Sequence, residues 1–312
     1  MNLKRTLKSI CAHAARGLAY SRLIPSRIII HMDGGICSQM HFYLVGMLLA
    51  RHGYHVAYDL SWFRDVGTDL DGRMCRNFDL LRIFPDLRFE ESRNKFLNRI
   101  YISLFYCRND YFNNQNDSLG WLNTAPPAYL DGYFRDPEEM YSRLFREVFQ
   151  IDTRVLDNSS LETLRMIEEA GADSCAIHVR RGDLARYNAA YGHPAETDYF
   201  KECVRQVAAR CTDPQFFLFS DEPDWCESHL IPELGDCRIT VCAGNGSDKG
   251  WCDLILMSRC RHHITSQGSM GKYAALLRDD KNLDGLVTLP PNTGAEDWKR
   301  RYDSSVIVGA GL

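Results

Sequence analysis

Apolar and polar positions alternate in blocks along the chain, and the blocks define its elements. Residues 27–32 (RIIIHM) stack β-branched side chains and stop at Asp33-Gly34-Gly35, which predicts a strand and then a turn. Between 39 and 52 the apolar residues Met40, Tyr43, Leu44, Met47 and Leu48 recur at helical spacing. Arg51 and His52 suit a helix C-terminus, and Gly53 can take the position after it. Residues 54–58 read as the next strand, so 27–58 predicts a βαβ unit, the building block of a parallel sheet.

From 60 to 127 the periodicity is weak and Asn-rich stretches intervene, so no element is assigned there. Residues 130–134 predict a strand, and 137–149 a helix with Met140, Leu144, Phe145 and Val148 on one side. A further helix is expected over 161–169. After Gly171 the pattern becomes regular. Short apolar runs at 175–179, 216–219, 238–241, 263–265 and 286–289 alternate with helical stretches at 199–210, 224–229, 251–260 and 269–278. This alternation predicts a second parallel sheet with helices on both faces. No internal repeat is evident.

Composition supports this reading. The 312 residues are 45% hydrophobic, 11% aromatic and 25% charged, which permits a packed core and excludes disordered and collagen-like classes. The expected organisation is a basic segment over 1–26 and two α/β domains over 27–160 and 161–312. A net charge of -4 argues against a whole-protein footprint for nucleic acid. Twelve cysteines are scattered from Cys11 to Cys260 without a Cys-x-x-Cys pair, which predicts mostly reduced, buried thiols in a cytosolic protein, with a few bridges as the alternative. Cys252, Cys260, His262 and His263 fit no zinc spacing, and Asp69-Leu70-Asp71 comes after no apolar strand, so no metal site is expected.

No apolar run is long enough for a membrane span. Residues 1–27 hold Lys4, Arg5, Lys8, Arg16, Arg22 and Arg27 and no acidic residue, while Leu3, Leu7, Ile10, Cys11, Ala14 and Leu18 recur at helical spacing. Two readings stand. Residues 1–22 lie on an anionic membrane, which makes the protein peripheral on the cytosolic face, or they form a solvated basic helix packed on the body or frayed.

Ligands of open parallel sheets bind beyond the carboxyl ends of the strands. Three polar clusters meet that condition: His178-Val179-Arg180-Arg181-Gly182-Asp183, Ser220-Asp221-Glu222, and Thr265-Ser266-Gln267-Gly268-Ser269. Paired arginines offer fork-shaped donors for a pyrophosphate, and the Ser266–Ser269 stretch opens a predicted helix whose positive end favours an anion. Asp221 or Glu222 can accept from a purine edge or from sugar hydroxyls. Arg180 and Arg181 alone also read as surface ion pairs. Together they suit a nucleoside diphosphate neutralised by arginine instead of Mg²⁺.

HVRRGD at 178–183 resembles the His-x-Arg-Arg-Gly-Asp motif of the α-1,2-fucosyltransferases, glycosyltransferase family 11. Other segments agree in order. DGGICSQM at 33–40 resembles the family's N-terminal glycine loop, DGYFRDPEEM at 131–140 its Gly-Tyr-Phe-Gln segment, FSDEPDWCE at 219–227 its Phe-Ser-Asp-Asp segment, and 253–277 the segment after it. The resemblance implies an α/β fold of GT-B type, two Rossmann-like domains with parallel sheets facing across a cleft. It also implies an enzyme that moves L-fucose from GDP-fucose to the 2-hydroxyl of a terminal galactoside, inverting the anomeric centre with no metal or other cofactor. A galactoside-terminated oligosaccharide or a lipid-linked glycan would be the acceptor. Carried over by position, Arg180 contacts the β-phosphate with Arg181 helping, and His178 and Asp183 shape the donor site. Asp221 or Glu222 lies near the guanine and Ser266 near the phosphates, and Ser220, Gln267, Gly35 and Gln39 join the donor-binding set, with 27–160 the acceptor-side domain and 161–312 the GDP-sugar-binding domain.

The chain departs from the family at Cys37-Ser38, Gln267-Gly268 and Gly271-Lys272-Tyr273, which leaves the pyrophosphate machinery in place and bears on the acceptor and the sugar. For the proton of the attacking hydroxyl, Asp33 is the expected base, with His31 or His41 behind it. A related transferase using another GDP-sugar or linkage is the alternative, and a non-enzymatic binding module the remoter one.

Overall fold

The computed structural model describes residues 3–20, 26–68, 72, 74–110, 119–135, 143–186, 193–246, 249–291 and 294–309. The chain forms two compact units, Met1–Asp69 with Cys75–Leu81 and Pro85–Pro137, and Leu70–Met74 with Arg82–Phe84 and Glu138–Leu312. The expected boundary at 160/161 thus differs from the observed one. The helix Arg143–Val148 brings Phe145 within 5.2 Å of the Tyr273 ring, and the helix Asn158–Ala170 packs on β5 (Ser174–Val179), so both side with the later residues. Asp69-Leu70-Asp71 and the first part of the expected 137–149 helix lie outside the described residues.

The first unit holds a four-stranded parallel sheet in the order β2-β1-β4-β3, with β1 Ile28–His31, β2 Val56–Asp59, β3 Tyr106–Asp110 and β4 Ala128–Tyr133. Ile28, Ile29 and Ile30 are fully buried, as expected of a central strand covered on both faces. The connecting helix, Ile36–Arg51, starts directly after Gly35 and is apolar nearly all round, so it is buried on most sides. Gly53 ends it with φ +86, the left-handed conformation that favours glycine. Neither β3 nor the helix Lys95–Phe105 before it is expected from the sequence. The side chain of Asn94 caps that helix by accepting from the Phe96 and Leu97 N–H groups.

The second unit holds a six-stranded parallel sheet in the order β10-β9-β8-β5-β6-β7, with β6 Gln215–Ser220, β7 Arg238–Val241, β8 His262–Ile264, β9 Val287–Leu289 and β10 Ser305–Ile307. Five of these strands match the expected runs, and β10 matches none. One face of the sheet buries Cys175, Ile177, Val179, Phe216 and Leu218 against Phe200, Val204 and Val207 of the helix Thr197–Ala208. Alternation along β5 therefore sends His178 to the opposite face, where it meets the helix Met270–Leu276. Among the described residues no helix is long and apolar enough to cross a membrane.

Candidate active site

The three polar clusters are neighbours because their strands are. Cα pairing joins Val179 to Ser220 and Ile177 to Ile264, so the chain leaving β5, β6 and β8 emerges side by side at the carboxyl end of the sheet. The Arg180 backbone N–H donates to Ser266 Oγ at 2.9 Å, and that hydroxyl lies 3.1 Å from His178 Nδ1. The same hydroxyl donates to the Gln267 carbonyl at 3.4 Å, and the buried imidazole is its uncharged neighbour. Burial, then the Arg180 and Lys272 charges, push His178 down to about 3, in keeping with that state.

Arg180 is gripped from two sides. One terminal nitrogen donates to Asp221 Oδ2 at 2.7 Å, and the other pairs with Asp183 Oδ1 at 2.7 Å. Asp221 also accepts the Arg181 backbone N–H through Oδ1 at 2.9 Å. A Cβ on Gly182 would sit 2.8 Å from Asp221 Oδ2, so only glycine leaves that carboxylate its place. Arg181 lies 3.9 Å over the Trp225 ring and 3.4 Å from Glu222, which also pairs with Arg186 at 3.5 Å. His229 stacks on Trp225 with centroids 5.6 Å apart. Asp221 and Glu222, offered by the sequence to a purine, thus face arginines in the structure and orient them. Ser220 Oγ accepts the Glu222 N–H at 2.9 Å and shapes the turn, and Gln267 is buried beside Ser266.

Lys272 completes this end of the sheet. Its ammonium donates to the Gly268 carbonyl at 2.9 Å and lies 5.7 Å from the Trp298 ring, and burial, with Arg301 nearby, lowers it to about 8. Gly268, at φ +81, makes the preceding turn. Trp225, Arg186 and His229 do not stand out in the sequence as site residues. Trp225 and His229 are spaced i, i+4 within the segment 223–230, which is the available signal.

The first unit carries its own polar cluster around the ends of β1 and β4. Asp33 Oδ1 accepts from the Tyr133 hydroxyl at 3.4 Å, and Ser38 Oγ lies 2.7 Å from that same hydroxyl. Burial raises the Asp33 carboxyl above its ordinary value. His31 and His41 pull the other way, and Asp131 adds to the rise. His31 Nδ1 is 3.1 Å from the Tyr129 hydroxyl, which donates to the buried Asp59 at 2.9 Å. His41 Nε2 accepts the Phe134 N–H at 3.3 Å.

Gln39 is differently occupied from the expectation. Its Nε2 donates to the Gly34 and Asn77 carbonyls at 3.2 and 2.8 Å, and its Oε1 accepts from Asp79 and Leu80 at 2.9 and 3.0 Å. The amide is buried and tied wholly to backbone. Gly35 is the residue before the helix Ile36–Arg51.

The histidines near Cys252 and Cys260 have structural tasks. His262 Nδ1 accepts the Leu286 N–H at 3.0 Å, and His263 Nε2 lies 3.2 Å from the Cys260 carbonyl. Among the described residues no group of three or more His, Cys, Asp or Glu side chains is placed to hold a metal ion. All twelve cysteines are free thiols, with Cys11, Cys75 and Cys107 exposed.

An α/β protein that aims an oriented guanidinium from the carboxyl ends of parallel strands can receive an anionic ligand there. Comparison makes the class specific. The model of the family "Glycosyl transferase family 11" matches residues 83–301, and the chain belongs to that family and is a glycosyltransferase. An alpha-1,2-colitosyltransferase of Escherichia coli is 24% identical over 283 residues, covering 85% of this chain and 91% of that protein. A galactoside alpha-(1,2)-fucosyltransferase 1 of Aotus azarae is 33% identical over 107 residues, 32% of this chain and only 28% of that protein. A crystal structure of fucosyltransferase NodZ from Bradyrhizobium aligns over 82% of this chain and 94% of that chain at 14% identity, with a TM-score of 0.45.

Proposed function

We propose that this glycosyltransferase moves L-fucose from GDP-fucose to the 2-hydroxyl of a terminal galactoside with inversion, using arginine in place of a metal ion. The observation that carries the reading is Arg180, held between Asp183 and Asp221 beside Ser266. A guanidinium oriented in this way needs little reorganisation when charge builds on a departing diphosphate. The named activities of family relatives support the fucosyl and α-1,2 parts of the proposal.

In this reading Arg180 meets the leaving diphosphate, Arg181 adds charge, and the Ser266–His178 bridge keeps the Arg180 backbone in register. Ser220, Asp221, Glu222 and Asp183 act through the arginines. Gln267 completes the buried loop beside Ser266. Asp33, whose carboxyl burial makes more basic than usual, takes the proton from the acceptor hydroxyl.

Mass spectrometry and linkage analysis of products from a galactoside panel incubated with GDP-fucose and EDTA test the proposal. A single α-1,2-linked deoxyhexose addition is the expected product. Arg180→Ala is expected to lower turnover by about 100-fold or more, and Asp33→Asn by a comparable factor. Near-normal turnover of Asp33→Asn alongside an inactive Arg180→Ala removes Asp33 as the base.

A second reading, transfer of a different sugar, is favoured by the colitosyltransferase relative, whose match spans most of this chain. It predicts no product with GDP-fucose and retained stabilisation by GDP.

A further inference from the structure

The N-terminal helix, Leu3–Tyr20, meets the body through alanines. Ala12 is buried and Ala15 half-buried against a cluster of Ile29, Tyr101, Phe105 and Tyr129, flanked by Leu97 and Leu104 of the helix Lys95–Phe105. Arg16 lies 6.0 Å over the Phe105 ring. Ile10, by contrast, is 60% exposed, and Cys11 and Ala14 are exposed too.

At 100° per residue Ile10 stands about 160° round the helix from Ala12, so Ile10, Cys11 and Ala14 are turned away from the contact with the body. A helix stabilised only by its own body presents its apolar face inward. Here small alanines make the internal contact and the larger apolar residue faces solvent. On the neighbouring helix Phe96 is 74% exposed, one residue from Leu97.

Charge decides what covers this face. Residues 1–27 contain six Lys and Arg residues and no Asp or Glu. A second copy of the chain meeting it across a two-fold axis would set the same basic segment against itself. An anionic surface with an apolar interior answers both features, accepting the apolar face and neutralising the cations.

We propose that the helix Leu3–Tyr20 docks through its Ile10–Ala14 face on an anionic lipid bilayer, with the Ala12–Ala15 side fastening it to the protein. The proposal stands apart from the sugar donor.

The test is co-sedimentation of the full chain with phosphatidylcholine vesicles, with and without added phosphatidylglycerol, in the absence of nucleotide. The parent chain is expected to sediment with the anionic vesicles and not the neutral ones. Ile10→Glu should reduce the bound fraction by roughly tenfold, and Ile10→Trp should raise it. Both variants are expected to melt at the parental temperature, because Ile10 touches little of the body. Equal sedimentation of parent and Ile10→Glu overturns the proposal, as does equal binding to neutral vesicles. A vesicle-independent dimer that Ile10→Glu dissolves also overturns it, assigning the face to a second copy. None of these results alters GDP binding, so the donor reading stands or falls separately.

Discussion

His178 joins two loops through one neutral ring nitrogen. Its Nδ1 lies 3.1 Å from Ser266 Oγ, which accepts the Arg180 N–H. Protonation puts a charge on a buried ring beside Arg180 and Lys272. The folded-state value is about 3, below the ordinary 6.5, so between these limits the unfolded chain binds the extra proton. Stability from this site is complete above the ordinary value and falls as pH drops towards the folded one, by at most about 1.4 kcal/mol per pH unit. Urea melts from pH 7 to 4.5 are expected to show this decline, and His178→Asn, which keeps an acceptor, to lessen it. Gly271 bears on the same ring, since an added Cβ would lie 2.8 Å from His178 Cβ. Gly271→Ala is expected to destabilise the protein by about 1–3 kcal/mol, measured by urea denaturation, and to slow transfer through displaced His178 and Ser266. The residue types of this site are legible in the sequence, because a strand that runs into His-x-Arg-Arg-Gly-Asp states its own position. Their partners are not legible. The engagement of Asp221 with Arg180 and Arg181 depends on β5 and β6 lying side by side, a relation across 40 residues of sequence.

At the scale of elements, strong patterns arise where burial is two-sided. Central strands β1, β5, β6 and β8 coincide with their apolar runs within a residue or two, because both faces are covered and the run is unbroken. Of the four edge strands, β2 and β7 carry enough apolar residues to be read, whereas β3 (YCRND) is polar and largely exposed and β10 (SVI) is only three residues long, so neither leaves a mark. The helix Ile36–Arg51 begins three residues before the expected start, because its first turn contains no charge or capping side chain to mark it. Gln39 explains why a polar residue belongs inside that helix. Its amide ties the helix to the segment 77–80 through three backbone groups and to the Gly34 carbonyl through a fourth bond. Gln39→Leu leaves those groups unpaired in the interior and is expected to lower stability by about 3 kcal/mol or more, read from urea denaturation. Gln39→Ala is expected to do the same.

For the whole molecule, ligand linkage gives the broadest check on the nucleotide proposed. At 100 times its dissociation constant, a ligand that binds only the folded state adds about 2.7 kcal/mol. GDP with EDTA present is expected to raise the melting temperature by several degrees, and UDP and ADP at equal concentration to leave it nearly unchanged. The order of apolar runs, helical repeats and glycine turns was enough to determine the α/β class, two parallel sheets and the three loops that carry the arginines. Those features are local, resting on the period of the chain and on the residue types just past each strand. Which carboxylate meets which arginine, that Gln39 is a strut, that the division falls near residue 137 and that Ile10 of the N-terminal helix faces outward were decided by tertiary structure. Each depends on contacts between segments distant in sequence, and a one-dimensional pattern records how a helix is striped without recording which side of it the body takes.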